Sequence, residues 1–134
     1  MSNVSKVFGT NKTLEKEGIM LDYGEFAVRV ARAGGSNKAF STLFERLTKP
    51  HRRAMETNTM SEETMKDIMY EVYAKTVVLD WAGINDDEGK PVQYSAEECI
   101  KLFREAPDFY ANLSEAASTF NMFQEEQAEQ DEKN

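Results

Sequence analysis

Apolar and polar residues alternate along residues 19–31, on either side of a glycine at position 24. Alternation around a glycine-containing turn is typical of two paired antiparallel strands. The pattern therefore predicts a small N-terminal β-hairpin. A helix from Glu25 to Ala33 is the alternative, because apolar residues in that stretch also recur four positions apart.

From residue 37 onward, apolar residues recur at spacings of three and four, which is typical of helices with one buried face. Ser, Asn and Pro residues at the starts of these runs suit the first turns. We expect a mainly α fold, a compact helical domain of about five helices with the small N-terminal hairpin. The expected helices run from Asn37 (or Ser36) to Leu47, Pro50 to Thr57, Ser61 to Trp81, Ser95 to the Ala106–Pro107 break, and Pro107 to Phe123.

The length of 134 residues fits a single domain. Residues 1–14 are polar without a period, and we expect a flexible N-terminal arm there. Residues 15–123 then form the single, mostly helical domain, in which Asp86–Gly89 predicts a tight turn. Residues 124–134 are rich in Glu and Gln and have no apolar face, which predicts an acidic, solvated C-terminal tail.

Charge is distributed unevenly along the chain. Residues 1–60 carry ten Lys and Arg against six Asp and Glu, whereas residues 61–134 carry six against eighteen. The acidic half argues against a general nucleic-acid binder, because it repels phosphates. Opposite charges in the two halves permit a head-to-tail contact between copies of the chain, and solubility is the alternative explanation. Whether the protein is a monomer or a homo-oligomer stays open.

The sequence indicates neither a membrane protein nor a secreted one. It has no run of about 18 apolar residues that could cross a membrane. The N-terminus lacks the apolar core of a secretory signal. Cys99 is the sole cysteine, so disulfides are not expected, and a reducing cytoplasm is the expected compartment.

No motif in the sequence supports an enzyme, a cofactor site or a metal site. A calcium loop with Gly89 at its sixth position would begin at Ile84 and end at Ser95, and neither residue supplies the required carboxylate. The Gly34-Gly35 pair is not followed by the lysine and hydroxyl residue of a phosphate-binding loop. We therefore expect a non-enzymatic protein.

Two groups of residues are candidates for binding a partner. The first is the densest basic cluster, the segment Lys49–Arg53, which suits either an acidic partner or solvent. Its candidate binding residues are His51, Arg52 and Arg53. The second is an apolar stripe with Trp81 nearby, which is either a contact surface or part of the core. The stripe comprises Phe109, Leu113, Phe120 and Phe123.

Several motifs, taken in order, resemble those of one family. They are Asn37 at a helix start, Lys49–Arg53, Val78–Ile84, Asp87–Val92, Tyr94-Ser95 before a capped helix, Ala106–Asp108 and the acidic end at Lys133-Asn134. Over roughly residues 15–134 the chain resembles the tail assembly chaperones, or minor tail proteins, of lambda-like phages with long non-contractile tails.

The resemblance implies a function in the cytoplasm of the infected host. Such chaperones bind the tape measure protein, keep it soluble and help to recruit the tail tube protein, and they are absent from the mature virion. Many are also made in a longer form by ribosomal frameshifting, with which Lys133-Asn134 is compatible. A structural tail component retained in the virion, such as a completion or connector protein, is the alternative. A small regulatory or nucleic-acid-binding protein is a third possibility.

Overall fold

The computed structural model describes residues 3–124, in which helices pack on one face of a three-stranded antiparallel sheet. The strands are β1 (Ile19–Asp22), β2 (Ala27–Val30) and β3 (Val78–Ala82), in that spatial order. The helices are α1 (Val4–Phe8), α2 (Lys12–Glu17), α3 (Lys38–Thr48), α4 (Arg52–Glu56), α5 (Glu62–Thr76), α6 (Ala96–Glu105) and α7 (Pro107–Ser118). Short 3-10 turns span Lys49–His51 and Phe120–Phe123.

The predicted hairpin is confirmed, with β1 and β2 paired from Ile19 opposite Val30 to Asp22 opposite Ala27. The turn is closed locally, because the Asp22 carboxylate accepts a hydrogen bond of 2.8 Å from the Gly24 N–H. The alternating apolar residues point inward, and those fully or almost fully buried are Ile19, Leu21, Val28 and Val30.

The predicted fold class is wrong, because the sheet does not end with the hairpin. Helix α5 stops at Thr76, and the stretch expected to be its last turns forms β3, which pairs with β2. The fold is therefore a largely helical, mixed α/β domain rather than a helical domain with an isolated hairpin.

An irregularity in the β2–β3 pairing explains why the apolar spacing of β3 resembles that of a helix. Arg29 lies opposite Asp80 and Val30 opposite Val78, which leaves Leu79 as an extra residue on β3. Such a bulge changes the two-residue period of a strand. Val78 and Trp81 are both buried although they lie three positions apart, and that spacing imitates a helical face.

Helix α5 connects the sheet to the other helices. It begins where predicted, since the Ser61 hydroxyl accepts a hydrogen bond of 3.1 Å from the Thr64 N–H. Its buried face packs on α3 through Ile68 and Val72, which contact Leu43. Further along, its tyrosines enter the main core, which they share with the inner face of the sheet and with buried residues of α6 and α7, including Cys99, Phe103, Leu113 and Ala117.

Asn37 precedes α3 as predicted, but its side chain does not cap the helix. The amide instead donates hydrogen bonds of 2.9 Å to the backbone carbonyls of Arg32 and Thr76. Asn37 therefore fastens the segment after β2 to the end of α5, where the chain turns into β3.

Residues 3–14 contain regular structure where an arm was expected. Helix α1 and the start of α2 lie here, and the Asn11 carboxamide caps α2 by accepting from Thr13 N–H at 2.9 Å. The Asn11 N–H also donates to the Phe123 carbonyl at 2.9 Å. The segment is thus fastened to the last described turn of the chain. The predicted tail beyond Gln124, including Lys133-Asn134, lies outside the described residues.

In the second half of the chain, the turns and helix starts lie where they were predicted, up to the last helix. Asp86–Gly89 forms a tight turn, and the Ser95 hydroxyl accepts a hydrogen bond of 3.1 Å from Glu98 N–H at the start of α6. Helix α7 begins at Pro107 as expected but ends at Ser118. Thr119 then adopts an extended backbone, so the predicted stripe is not one continuous helical face.

Candidate partner-binding surfaces

Trp81 lies in the core and holds the loop between β3 and α6 in place. Its indole N–H donates a 2.8 Å hydrogen bond to the Val92 carbonyl. Its ring packs edge-on against that of Tyr94, with 4.9 Å between the ring centres. The Tyr94 hydroxyl in turn lies within hydrogen-bonding distance of the backbone carbonyls of Ala74 and Val78, either of which can accept its single proton. With its side chain 8% exposed, Trp81 offers little surface to a partner.

The apolar stripe divides into core and surface. Leu113 and Phe123 are fully buried, so in this conformation they support the fold and leave nothing for a partner to contact. Phe109 and Phe120 are half-buried and stay candidates for partner binding.

Phe109 forms one wall of an apolar cleft of about 380 Å³, named here the Phe109 cleft. The ring of Phe109 packs edge-on against Phe26, with 5.9 Å between ring centres. Three segments far apart in sequence contribute the lining, which comprises Glu25, Phe26, Gly83, Ile84, Asn85, Leu102, Ala106 and Phe109. Gly83 has a φ of +86°, and a side chain there would overlap the Glu25 carbonyl, so glycine allows this close approach.

Phe120 belongs to a second apolar surface at the N-terminus. Its ring lies 5.1 Å from that of Phe8 on α1. Val4, Val7 and Phe8 are 65%, 54% and 59% exposed, which is unusual for large apolar side chains on one helix face. We call Val4, Val7, Phe8 and Phe120 together the N-terminal patch.

The basic cluster lies beside a third feature, an open groove of about 910 Å³ between α3 and α4. This α3–α4 groove is lined by Thr42, Glu45, Arg46, Thr48, Lys49, Arg52, Met55 and Glu56. Arg52 is thus a groove residue as well as a member of the predicted cluster, whereas the exposed Arg53 and half-buried His51 lie outside the lining. Lys49, at the start of the predicted basic segment, also lines the groove, and the sequence prediction missed only Arg46, three positions before it.

Glu15 is the one charged side chain among the described residues that is almost completely buried. Its carboxylate accepts hydrogen bonds from the Thr10 hydroxyl and the Ser36 N–H and forms an ion pair of 3.3 Å with Arg32. Burial alone would raise the pKa of the Glu15 carboxyl, but these donors and the Arg32 charge outweigh it and hold the pKa below its ordinary value. No sequence pattern around Glu15 indicated this role.

Residues 3–124 bring together no group of three or more His, Cys, Asp or Glu side chains that could hold a metal ion. No helix among them is long and apolar enough to cross a membrane.

The fold and these surfaces define a small, largely helical α/β domain whose accessible features are an apolar cleft, an apolar patch and a charged groove. The family model of the YdaY prophage protein matches residues 35–134, so the chain belongs to the YdaY prophage protein family. The expected phage origin is thereby confirmed. Neither the curated proteins nor the solved structures contain a match to the chain.

Proposed function

We propose that this prophage protein is a non-enzymatic tail assembly chaperone. In this proposal it binds the tape measure protein in the host cytoplasm, keeps it soluble, helps to recruit the tail tube protein, and is absent from the mature virion. Its phage origin and the sequence resemblance support this assignment.

The Phe109 cleft is the observation that carries the proposal. A helical partner with a periodic apolar face binds by inserting side chains into a groove of this kind. The cleft has aromatic and aliphatic walls from Phe26, Ile84, Leu102 and Phe109, and Glu25 and Asn85 supply polar groups at its rim. This combination of an apolar interior and a polar rim is typical of sites that bind peptide segments.

The charge of the chain supports the same function. The chain has a net charge of −8, and residues 61–134, which include most of the cleft, alone carry six Lys and Arg against eighteen Asp and Glu. A carrier with a high net charge can keep an apolar partner in solution, because the complex repels other copies of itself.

Co-expression with the tape measure protein of the same prophage tests the proposal. We expect the wild-type protein to increase the soluble fraction of the tape measure protein. Ala106→Glu should abolish that effect, because it places a charge in the cleft without removing a packed side chain. Ala111→Glu is the matched control, since Ala111 is an exposed alanine on the neighbouring helix α7 and does not line the cleft.

The outcomes separate the function from the site. If the wild-type protein leaves the tape measure protein insoluble, the chaperone function is rejected. If Ala106→Glu solubilises as well as the control, the cleft is not the binding surface. Mass spectrometry of purified virions addresses the alternative, because a tail completion or connector protein would be found in the particle and a chaperone would not.

A further inference from the structure

We propose that the α3–α4 groove binds the Asp86–Gly89 turn of a second copy of the chain, so that copies associate head to tail. This inference does not depend on the proposed function. It rests on a groove and a turn of complementary charge that lie on different surfaces of the same domain.

The groove is lined by three cations and two carboxylates, so cations are in excess there. Arg46, Lys49 and Arg52 line it, and among residues 3–124 none of them forms an ion pair. The lining also contains the carboxylates of Glu45 and Glu56 and the thioether of Met55. A matching partner segment therefore carries mainly carboxylates, with a cation beside them.

The Asp86–Gly89 turn has this chemistry in a fixed conformation. The Asp86 carboxylate accepts 2.9 Å hydrogen bonds from the N–H groups of Glu88 and Lys90, so it stabilises the turn from within. Asp87 and Glu88 are left at the exposed tip. Glu88 forms an ion pair of 3.6 Å with Lys90, but both side chains are well exposed, and such pairs contribute little.

A preformed turn loses little conformational freedom when it binds, which favours it over a segment that must be ordered first. Four hydrogen bonds close the turn, two between backbone groups and two to the Asp86 carboxylate. They join Asp86 to Glu88, Gly89 and Lys90. The turn is therefore an exposed acidic turn that its own hydrogen bonds hold closed before any partner binds.

The contact requires two copies. The groove and the turn are fixed parts of one fold, and no residue of the turn lines the groove of its own chain. Because the two surfaces differ, each copy can use its groove for one neighbour and its turn for another. A contact of this heterologous kind produces rings or open chains rather than closed dimers.

Sedimentation velocity of the full chain over a range of concentrations tests the proposal. We expect association at about 0.01 M salt, where the screening length is about 30 Å, and its loss at about 1 M, where it is about 3 Å. Arg46→Glu/Arg52→Glu and Asp87→Lys/Glu88→Lys should each raise the half-association concentration by more than about tenfold, because like charges then face each other.

Mixing the two variants provides the sharpest readout. The acidic groove of the groove variant is now complementary to the basic turn of the turn variant. The unchanged turn of the first and the unchanged groove of the second are complementary as well. Association should therefore return in the equimolar mixture. All four substituted residues are exposed, and circular dichroism checks that each variant keeps its fold.

Two further variants complete the experiment. Lys12→Glu/Lys101→Glu makes the same change in net charge as the groove variant, at positions away from both surfaces, and should leave association intact. In another, the five Asp and Glu residues between positions 125 and 132 are neutralised. The proposal is overturned if this tail variant abolishes association while the groove and turn variants do not. It is also overturned if mixing the groove and turn variants does not restore association, or if the wild type stays monomeric at low salt.

Discussion

Replacing Glu15 with glutamine tests how the N-terminal segment is held to the domain. The carboxylate joins α2 to the loop before α3, where it accepts a hydrogen bond from the Ser36 N–H. It also pairs with Arg32, two residues after the end of β2. Glutamine has almost the same shape but carries no charge. The substitution therefore removes the electrostatic part of the contact and leaves the packing in place.

The expected loss follows from the partners of the carboxylate. A hydrogen bond to a charged group contributes about 1.5–3 kcal/mol, and glutamine keeps one carbonyl acceptor for one of the donors. The Arg32 side chain is 23% exposed, so water can solvate it after the charge is removed. We therefore expect the free energy of unfolding to fall by about 2 kcal/mol, and Tm to fall by roughly 8 °C, for a domain of this size.

The loss of stability caused by Glu15→Gln should depend on pH in a defined direction. The folded-state pKa of the Glu15 carboxyl lies below its ordinary value of 4.5. A group with a depressed pKa stabilises the fold above the unfolded-state pKa, and its contribution is lost as the pH falls through the folded-state value. Wild type and Glu15→Gln should therefore differ fully at neutral pH and converge below pH 4.5.

Urea unfolding followed by the fluorescence of Trp81, the only tryptophan, measures the effect. Glu17→Gln, at the exposed end of the same helix, is the matched control and should change stability by less than about 0.5 kcal/mol. The reasoning about Glu15 fails if the two variants are equally stable at neutral pH, or if their difference does not shrink in acid.

Three other substitutions or modifications test the fold. Gly35→Ala should destabilise the protein by about 1–2 kcal/mol more than Gly89→Ala in urea unfolding, since both glycines have positive φ but only Gly35 lies against the Glu15 carboxylate. Burial raises the pKa of the Cys99 thiol to about 12, so a thiol reagent at about pH 8 should modify it only in urea. Tyr94→Phe removes the hydroxyl between two backbone carbonyls and should cost about 1–2 kcal/mol in thermal unfolding; an unchanged Tm would contradict that bond.

The sequence predicted the elements whose signals are local. Alternation identified the β1–β2 hairpin, and the serines at positions 61 and 95 marked the starts of α5 and α6. β3 was missed because its identity depends on pairing with β2, some fifty residues earlier, and on a bulge that changes its burial period. A local pattern cannot distinguish such a strand from the end of a preceding helix.

The binding surfaces were predicted less completely, for a related reason. Phe109 was identified from the apolar stripe, but its partners in the cleft come from the hairpin turn and the loop after β3. Helical spacing also cannot separate a core side chain from a surface one on the same stripe, as Leu113 and Phe109 illustrate. Only the way α7 packs into the shared core decides which of them is covered.

The residues before the family match belong structurally to the matched part. The match begins at residue 35, so β1 and β2 lie outside it and β3 lies inside it. In the described chain β2 is the strand that pairs with β3, and a single strand cannot satisfy its own backbone groups. Glu15 and Asn11 add further bonds across the same boundary, to Ser36 and Phe123. In this chain the matched part therefore depends on the N-terminal segment for a complete sheet, and the hairpin turn also supplies Phe26 to the Phe109 cleft.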